Sequence, residues 1–252
     1  MSITTTPLTS PFATAHTSVA SAAQVVLFAM ATLAERRDAD TEAHLLRVQG
    51  YVRLLAQALQ GVPALAPVLT QEYVAQLVQG VLFYDIGTLA IPERILLKPG
   101  RFTPQERSAM QSHTVRGYQA LLRAEKTCGP ADDWLQMAKE LALSHHEHWN
   151  GQGYPEKRAG EAIPLCARIV AVADVYDAMV SNKVYKSGMS HAQALERIAA
   201  ERGAQFDPVV VDAFLSCADA IEQVALRYAD TNEDLQLKME TLAEAIAEHS
   251  VM

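Results

Sequence analysis

Six side chains of this chain have the chemistry of divalent metal ligands. Four are imidazoles and two are carboxylates: His44, Asp85, His113, His145, His146 and Asp174. Imidazole and carboxylate suit Mn, Fe, Zn or Ni, and an aspartate can bridge two ions about 3.5–4 Å apart. A single histidine is more often a packed or surface residue than a ligand. The adjacent pair His145–His146, followed by a Gly-rich turn, favours a metal-dependent hydrolase.

The elements that must position these side chains are predicted to be helices. Apolar residues recur at helical spacing through almost the whole chain and β-branched runs are short, so the predicted fold class is all-α. Capping residues, glycines and prolines mark the helix ends. The predicted helices run from about Val19 to Arg36, through His44 to Gly61, from about Gln71 to Tyr84–Asp85, from Thr103 through His113 to Gly129, from Asp132 or Asp133 to the histidine pair, from Pro164 through Asp174 and Asp177, from Ser190, and from Asp207. The region from Cys217 to His249 is predicted to form one or two amphipathic helices.

Composition limits the class of protein. The chain has 252 residues, is 50% hydrophobic and 20% charged, and has a formal net charge of −8. These values predict a globular protein and argue against one that coats DNA, RNA or an anionic membrane. Three widely spaced cysteines predict reduced thiols and a cytoplasmic location, and we expect neither a signal peptide nor a transmembrane segment. The predicted organisation is a disordered leader at 1–17, a main domain at 18–215 and a C-terminal helical extension at 216–252.

An ordered series of motifs resembles the HD-GYP domain, a subgroup of the HD-superfamily metal phosphohydrolases. The resemblance covers about Ala31 to Leu215. It implies an HD-superfamily helical bundle with a two- or three-metal centre, and hydrolysis of cyclic di-GMP to the linear dinucleotide or GMP. The matching landmarks are Asp85-Ile86-Gly87, Ile95-Leu96-Leu97-Lys98-Pro99-Gly100, His113, His145-His146-Glu147, Gly151-Gln152-Gly153-Tyr154-Pro155, Ala167 to Ala178 and Phe206-Asp207-Pro208.

The resemblance also implies roles for individual residues. The six ligand-type side chains match the family's metal ligands, with Asp85 as the bridging and catalytic carboxylate. Asp40 matches a position where three-metal members have a glutamate, and either a ligand or a solvated carboxylate fits this shorter side chain. Independently of the resemblance, the position of Asp177 three residues after Asp174 places it near the metal site, where we expect it to orient a ligand histidine. Two divalent transition metals are predicted, Fe or Mn, with Zn or Ni as alternatives.

Two positions depart from the family pattern. Tyr84 stands where the family has the histidine of its HD motif, and a phenol of pKa near 10 binds divalent metal weakly. Thr88 stands where a lysine normally follows and so removes a cation that could stabilise charge in the displacement. We therefore call Tyr84 and Thr88 degenerate positions.

Substrate contacts are predicted at two segments. Gly153, Tyr154 and Pro155 form a tight turn that lets backbone amides approach a ligand, although an ordinary helix-to-helix turn is the alternative. Lys183, Tyr185 and Lys186 offer two cations and a ring, which suit the phosphates and guanines of a cyclic dinucleotide. A solvated helix end is the alternative for that segment.

Two functional hypotheses remain open from the sequence. The first is an enzyme, a cyclic di-GMP phosphodiesterase, motivated by the retained ligand set. The second is a degenerate domain that binds cyclic di-GMP or a partner such as a diguanylate cyclase, motivated by Tyr84 and Thr88. Hydrolysis of another cyclic dinucleotide is a third, more remote hypothesis. The helices after Cys217 could pair in a homodimer or pack on their own chain.

Overall fold

The computed structural model describes residues 25–35, 42–98, 100–129, 133–181 and 188–249, with side chains of the last helix described up to residue 243. These residues form helices joined by turns and short 3₁₀ segments, with no strand among the described ranges. The fold class predicted from the sequence is confirmed. The helices are α1 (25–35), α2 (Glu42–Leu59), α3 (Gln71–Gly80), α4 (Glu93–Leu96), α5 (Pro104–Gln111), α6 (His113–Cys128), α7 (Asp133–Ser144), α8 (Leu165–Val180), α9 (His191–Ala200), α10 (Pro208–Ser216), α11 (Ala218–Arg227) and α12 (Asn232–His249).

Helices α2 and α8 form the centre of the bundle. They pack against each other, and α2 also contacts α3, α10 and α11. Helix α8 begins directly after Pro164 and buries side chains on several faces, among them Ile169, Val172 and Tyr176. A helix that is apolar nearly all round belongs in a protein interior. The two polar residues that α8 carries near its C-terminal end, Asp174 and Asp177, are therefore held on a rigid, central element.

Several predicted helix boundaries are confirmed by the capping contacts. Thr103 and Ser190 each form the predicted capping box, and the Asp207 side chain accepts a hydrogen bond from Val209 N. The helix predicted from Gln71 to Tyr84–Asp85 is shorter, because α3 ends at Gly80 and a 3₁₀ turn follows at Val81–Phe83. These local signals fix where helices begin more reliably than where they end.

The single helix predicted through His113 is wrong, since α5 and α6 are separate. Ser112 lies at the break, with φ −67° and ψ −12°. Its hydroxyl donates to Ala109 O at 2.6 Å and accepts from Arg116 Nε at 3.0 Å. A serine side chain that bonds the preceding turn competes with regular helical pairing. The break makes His113 the first residue of α6.

The C-terminal region, for which the sequence predicted one or two amphipathic helices, folds as two, α11 and α12. Ile221 of α11 is fully buried, and Val224 packs against the core that includes α2. The end of α11 and the loop after it are tied to α2 by Arg47, which donates to Tyr228 O at 2.9 Å and pairs with Asp230. Within the described residues, no helix is both long enough and apolar enough to cross a bilayer.

Candidate metal centre

The segment that carries Asp85 is held against the start of α6. Asp85 lies between the 3₁₀ turns Val81–Phe83 and Ile86–Ala90. Gly87 packs on the backbone of His113 and Gly117, and a Cβ at position 87 would collide with the His113 carbonyl. Glycine is required here because two backbone segments touch. The local sequence Asp85-Ile86-Gly87 thus brings a carboxylate to the N-terminus of α6.

Four of the predicted ligands meet at one point. Asp85, His113, His145 and His146 each offer one ligand atom, and these four atoms lie within 4.8 Å of one another. Asp85 Oδ1 lies 3.2 Å from His113 Nε2 and 3.3 Å from His145 Nε2. The two Nε2 atoms are 3.5 Å apart. Atoms bound about 2.0–2.2 Å from one ion lie about 3.0–3.5 Å from each other, so these separations match a metal site. We call these four residues the histidine–aspartate cluster.

The outward contacts of two imidazoles fix their orientation. His113 Nδ1 lies 2.7 Å from Met110 O, and His145 Nδ1 lies 2.8 Å from Leu141 O. A carbonyl only accepts hydrogen bonds, so each Nδ1 carries a proton and each ring turns its Nε2 inward. Both Nε2 atoms then face the Asp85 carboxylate. Two Nε2 atoms and a carboxylate oxygen that meet this closely need a proton or a metal ion between them, and this set of ligand atoms fits a divalent metal ion.

The electrostatics of the cluster favour an ionised Asp85 and a neutral His146. Burial raises the pKa of Asp85, but hydrogen bonds donated by the His113 and His145 rings outweigh it and lower the pKa well below 3.8. Burial lowers the pKa of His146 well below 6.5, with the neighbouring His145 acting in the same direction. The carboxylate is ionised and His146 is neutral at pH 7. The Asp85 side chain remains 24% exposed, so the cluster is open on one side.

The other two predicted ligands, His44 and Asp174, lie outside this cluster and are connected to each other by Tyr84. The Tyr84 hydroxyl donates to Asp174 Oδ1 at 2.8 Å and lies 2.8 Å from His44 Nε2. Burial, then the charges of Asp174 and Asp85, raise the pKa of Tyr84 well above 10, so the phenol stays protonated. The Tyr84 ring also packs edge-on against His145, with centroids 5.0 Å apart. The degenerate position is therefore filled by a fixed, buried hydroxyl.

Asp177 holds His44 in place, as the sequence predicted for a ligand histidine. His44 Nδ1 donates to Asp177 Oδ2 at 2.8 Å, and Arg47 donates to both carboxylate oxygens at 2.7 and 2.9 Å. Tyr51 and Ser181 add hydrogen bonds of 3.1 Å. Burial alone would raise the pKa of Asp177, but the hydrogen bonds from His44 and Arg47 lower it. The result is an ionised, buried carboxylate that turns His44 Nε2 toward Tyr84.

The predicted substrate turn lies beside the cluster. The Tyr154 ring stacks on His146, with centroids 4.8 Å apart and planes 28° apart, and Tyr154 N donates to His146 O. Gly153 touches the backbone of 146–148 and leaves no room for a Cβ. Glu147 Oε1 accepts from Glu156 N at 2.7 Å and so ties down the far end of the turn. Tyr154 therefore forms one wall of the metal centre.

Some predicted site residues have other surroundings or fall outside the description. Thr88 is buried and its hydroxyl donates to the Asp85 carbonyl at 2.8 Å, so it supports the Asp85 turn in place of a cation. Asp40, Lys183, Tyr185 and Lys186 lie outside the described residues and stay predictions. From the sequence, Arg47 was recognised as part of a motif but was given no role, and the turn-holding role of Glu147 was missed. Position 47 offered one signal, because an arginine three residues after His44 lies on the same helix face.

Comparison with known proteins places the chain in a family. Residues 70–210 match the HD domain. The chain therefore belongs to the HD domain family, and within it the HD-GYP type predicted from the motifs is confirmed.

Three relatives come from Vibrio cholerae. A probable cyclic di-GMP phosphodiesterase is 45% identical over 205 residues, which are 81% of this chain and 46% of that protein. A cyclic di-GMP phosphodiesterase is 43% identical, covering 82% of this chain and 42% of the relative. A 3'3'-cGAMP-specific phosphodiesterase 2 is 35% identical, and the match covers 80% of this chain and 36% of that protein. This chain spans less than half the length of these relatives.

Proposed function

We propose that this chain is a metal-dependent phosphodiesterase that hydrolyses cyclic di-GMP to the linear dinucleotide or GMP. The observation that carries the proposal is the convergence of Asp85 Oδ1 with the Nε2 atoms of His113 and His145. The names of two of the Vibrio cholerae relatives, both cyclic di-GMP phosphodiesterases, support the substrate. The proposal includes Fe or Mn as the metal, with Zn or Ni as alternatives, and a cytoplasmic location.

The protein's own residues would prepare the site for a phosphodiester. Asp85, His113, His145 and His146 would hold the ion, which would supply polarisation of a phosphoryl oxygen and activation of water. Asp85 is ionised, and its side chain is partly exposed on the open side of the cluster. Its carboxylate can therefore bind an ion and also lie next to a ligand that enters from that side. Tyr154 limits that opening through its stacking on His146. The fixed Nδ1 contacts mean that little reorganisation is required when a ligand enters.

One observation favours a second candidate function. The Tyr84 hydroxyl lies between His44 and Asp174, two side chains that the resemblance assigns to metal binding. A centre with fewer ions than the two or three that the resemblance implies could bind cyclic di-GMP without cleaving it and act through a partner, such as a diguanylate cyclase. A cyclic dinucleotide other than cyclic di-GMP is an alternative substrate, because one relative is named for 3'3'-cGAMP.

The deciding experiment is a turnover assay on the protein loaded anaerobically with Fe(II) or with Mn²⁺. Cyclic di-GMP and 3'3'-cGAMP are incubated separately and the products are separated by chromatography. We expect linear dinucleotide or GMP from cyclic di-GMP, and loss of product in Asp85→Ala. Asp212→Ala is the matched control, because that carboxylate is exposed and pairs with Arg202 on the surface. If the metal-loaded protein binds cyclic di-GMP but yields no product, the proposal of a phosphodiesterase is wrong and the binding function is favoured.

A further inference from the structure

His44 and Asp174 face each other across the Tyr84 hydroxyl. We call these two ligand-type side chains the half-site, because the hydroxyl lies where an ion shared by them would bind. The Tyr84 oxygen lies 2.8 Å from His44 Nε2 and 2.8 Å from Asp174 Oδ1. We propose that Tyr84 sets the metal content of this chain: it occupies the position between His44 and Asp174, so that the protein binds one divalent ion, at the histidine–aspartate cluster. This inference rests on the metal centre of the proposed function and concerns how many ions it holds.

The half-site retains the orientation that ligands need. His44 Nδ1 is occupied by Asp177, just as the Nδ1 atoms of His113 and His145 are occupied by carbonyls. An imidazole fixed through one nitrogen presents the other to the ligand position. Asp174 lies one turn before Asp177 on the same buried helix. His44 and Asp174 are thus oriented as ligands, but the Tyr84 hydroxyl lies between them where an ion would bind.

The phenol excludes an ion through both space and chemistry. Tyr84 is 1% exposed and its ring packs in the main core and against His145, so it has little room to move aside. Metal–ligand distances are about 2.0–2.2 Å, and an ion between His44 and Asp174 would need the volume that the hydroxyl fills. The Tyr84 hydroxyl donates a hydrogen bond to Asp174 and so does not act as a charged ligand. The ion count should therefore depend on this one side chain.

The test is to count bound ions in the whole chain without measuring turnover. Wild type, Tyr84→His and Tyr84→Phe are purified with excess Mn²⁺ and dialysed, and Mn per chain is measured by mass spectrometry together with the EPR spectrum. We expect about one ion in wild type and about two in Tyr84→His, because imidazole restores a ligand. Two ions that share Asp85 would give a spin-coupled EPR signal. Tyr84→Phe keeps the ring and adds no ligand, so we expect about one.

Two further variants keep the inference testable if Tyr84→His does not fold. Asp174→Asn should leave the count at about one, whereas Asp85→Asn should lower it well below one, because only Asp85 belongs to the histidine–aspartate cluster. Two ions in wild type, loss of the ion in Asp174→Asn, or a folded Tyr84→His with one ion would each overturn the inference. None of these readings uses cyclic di-GMP, so an inactive protein with one ion would refute the proposed activity and leave this inference standing.

Discussion

Replacing Asp177 with alanine should destabilise the protein more than any surface charge change. Asp177 is 1% exposed and holds the Arg47 guanidinium at 2.7 and 2.9 Å and His44 at 2.8 Å. Removing one partner of a buried ion pair costs about 3–5 kcal/mol, because the other charge is left without compensation. Arg47 keeps its contacts with Tyr228 O and Asp230, so we expect the lower end, about 3 kcal/mol.

The assay is urea unfolding at pH 7, supported by thermal denaturation. A loss of about 3 kcal/mol corresponds to a fall in Tm of about 6–12 °C for a chain of this size. The folded state lowers the pKa of Asp177, so its contribution is present above the ordinary carboxyl pKa and is lost as the pH falls below it. The difference between wild type and Asp177→Ala should therefore shrink in acid.

The control for this prediction is Asp212→Ala. Asp212 makes two contacts of 2.8 Å with Arg202, but both side chains are about half exposed. Exposed pairs are screened by water and salt, so this variant should unfold close to wild type. If Asp177→Ala were no less stable than Asp212→Ala, the buried network around His44 would not have the importance that its geometry suggests.

Three further predictions concern positions around the metal centre. Gly87→Ala should lose bound metal and lower the Tm, because its Cβ would meet the His113 backbone. Unchanged metal content and Tm would contradict this close backbone contact. Glu147→Ala should speed hydrogen exchange of the Glu156 amide by about tenfold or more, since one buried hydrogen bond is lost, whereas Glu147→Gln keeps an acceptor and should protect that amide. Thr103→Ala should lower the unfolding free energy by about 1 kcal/mol in urea titration through loss of the N-cap, and an unchanged midpoint would contradict that cap's role.

Much of the fold could be predicted from local signals. Thr103 and Ser190 cap their helices as the sequence indicates, and Pro164 precedes the long buried helix α8. Caps and prolines act within one turn, so their effect can be recognised without the rest of the chain. The break at Ser112 could not, because regular helix and a local side-chain bond compete closely there.

The candidate site was predictable as a set of residues but not as an arrangement. The motifs identified Asp85, His113 and the His145–His146 pair, which the fold brings within ligand distance. They also marked Tyr84 as a lost ligand, yet gave no sign that its hydroxyl connects His44 and Asp174. Tyr84 is 40 residues away from His44 and 90 residues away from Asp174 along the chain. The geometry of the contact therefore depends on how α2 and α8 pack around the 3₁₀ segment that precedes Tyr84.

The central claim is that Asp85, His113, His145 and His146 hold a divalent ion in the folded chain. It is tested most directly by a crystal structure of the Mn²⁺-loaded protein with data collected at the manganese absorption edge. We expect an anomalous peak about 2.0–2.3 Å from Asp85 Oδ1 and from the histidine nitrogens. A loaded crystal with no peak among these four side chains, or with the peak elsewhere, would contradict it.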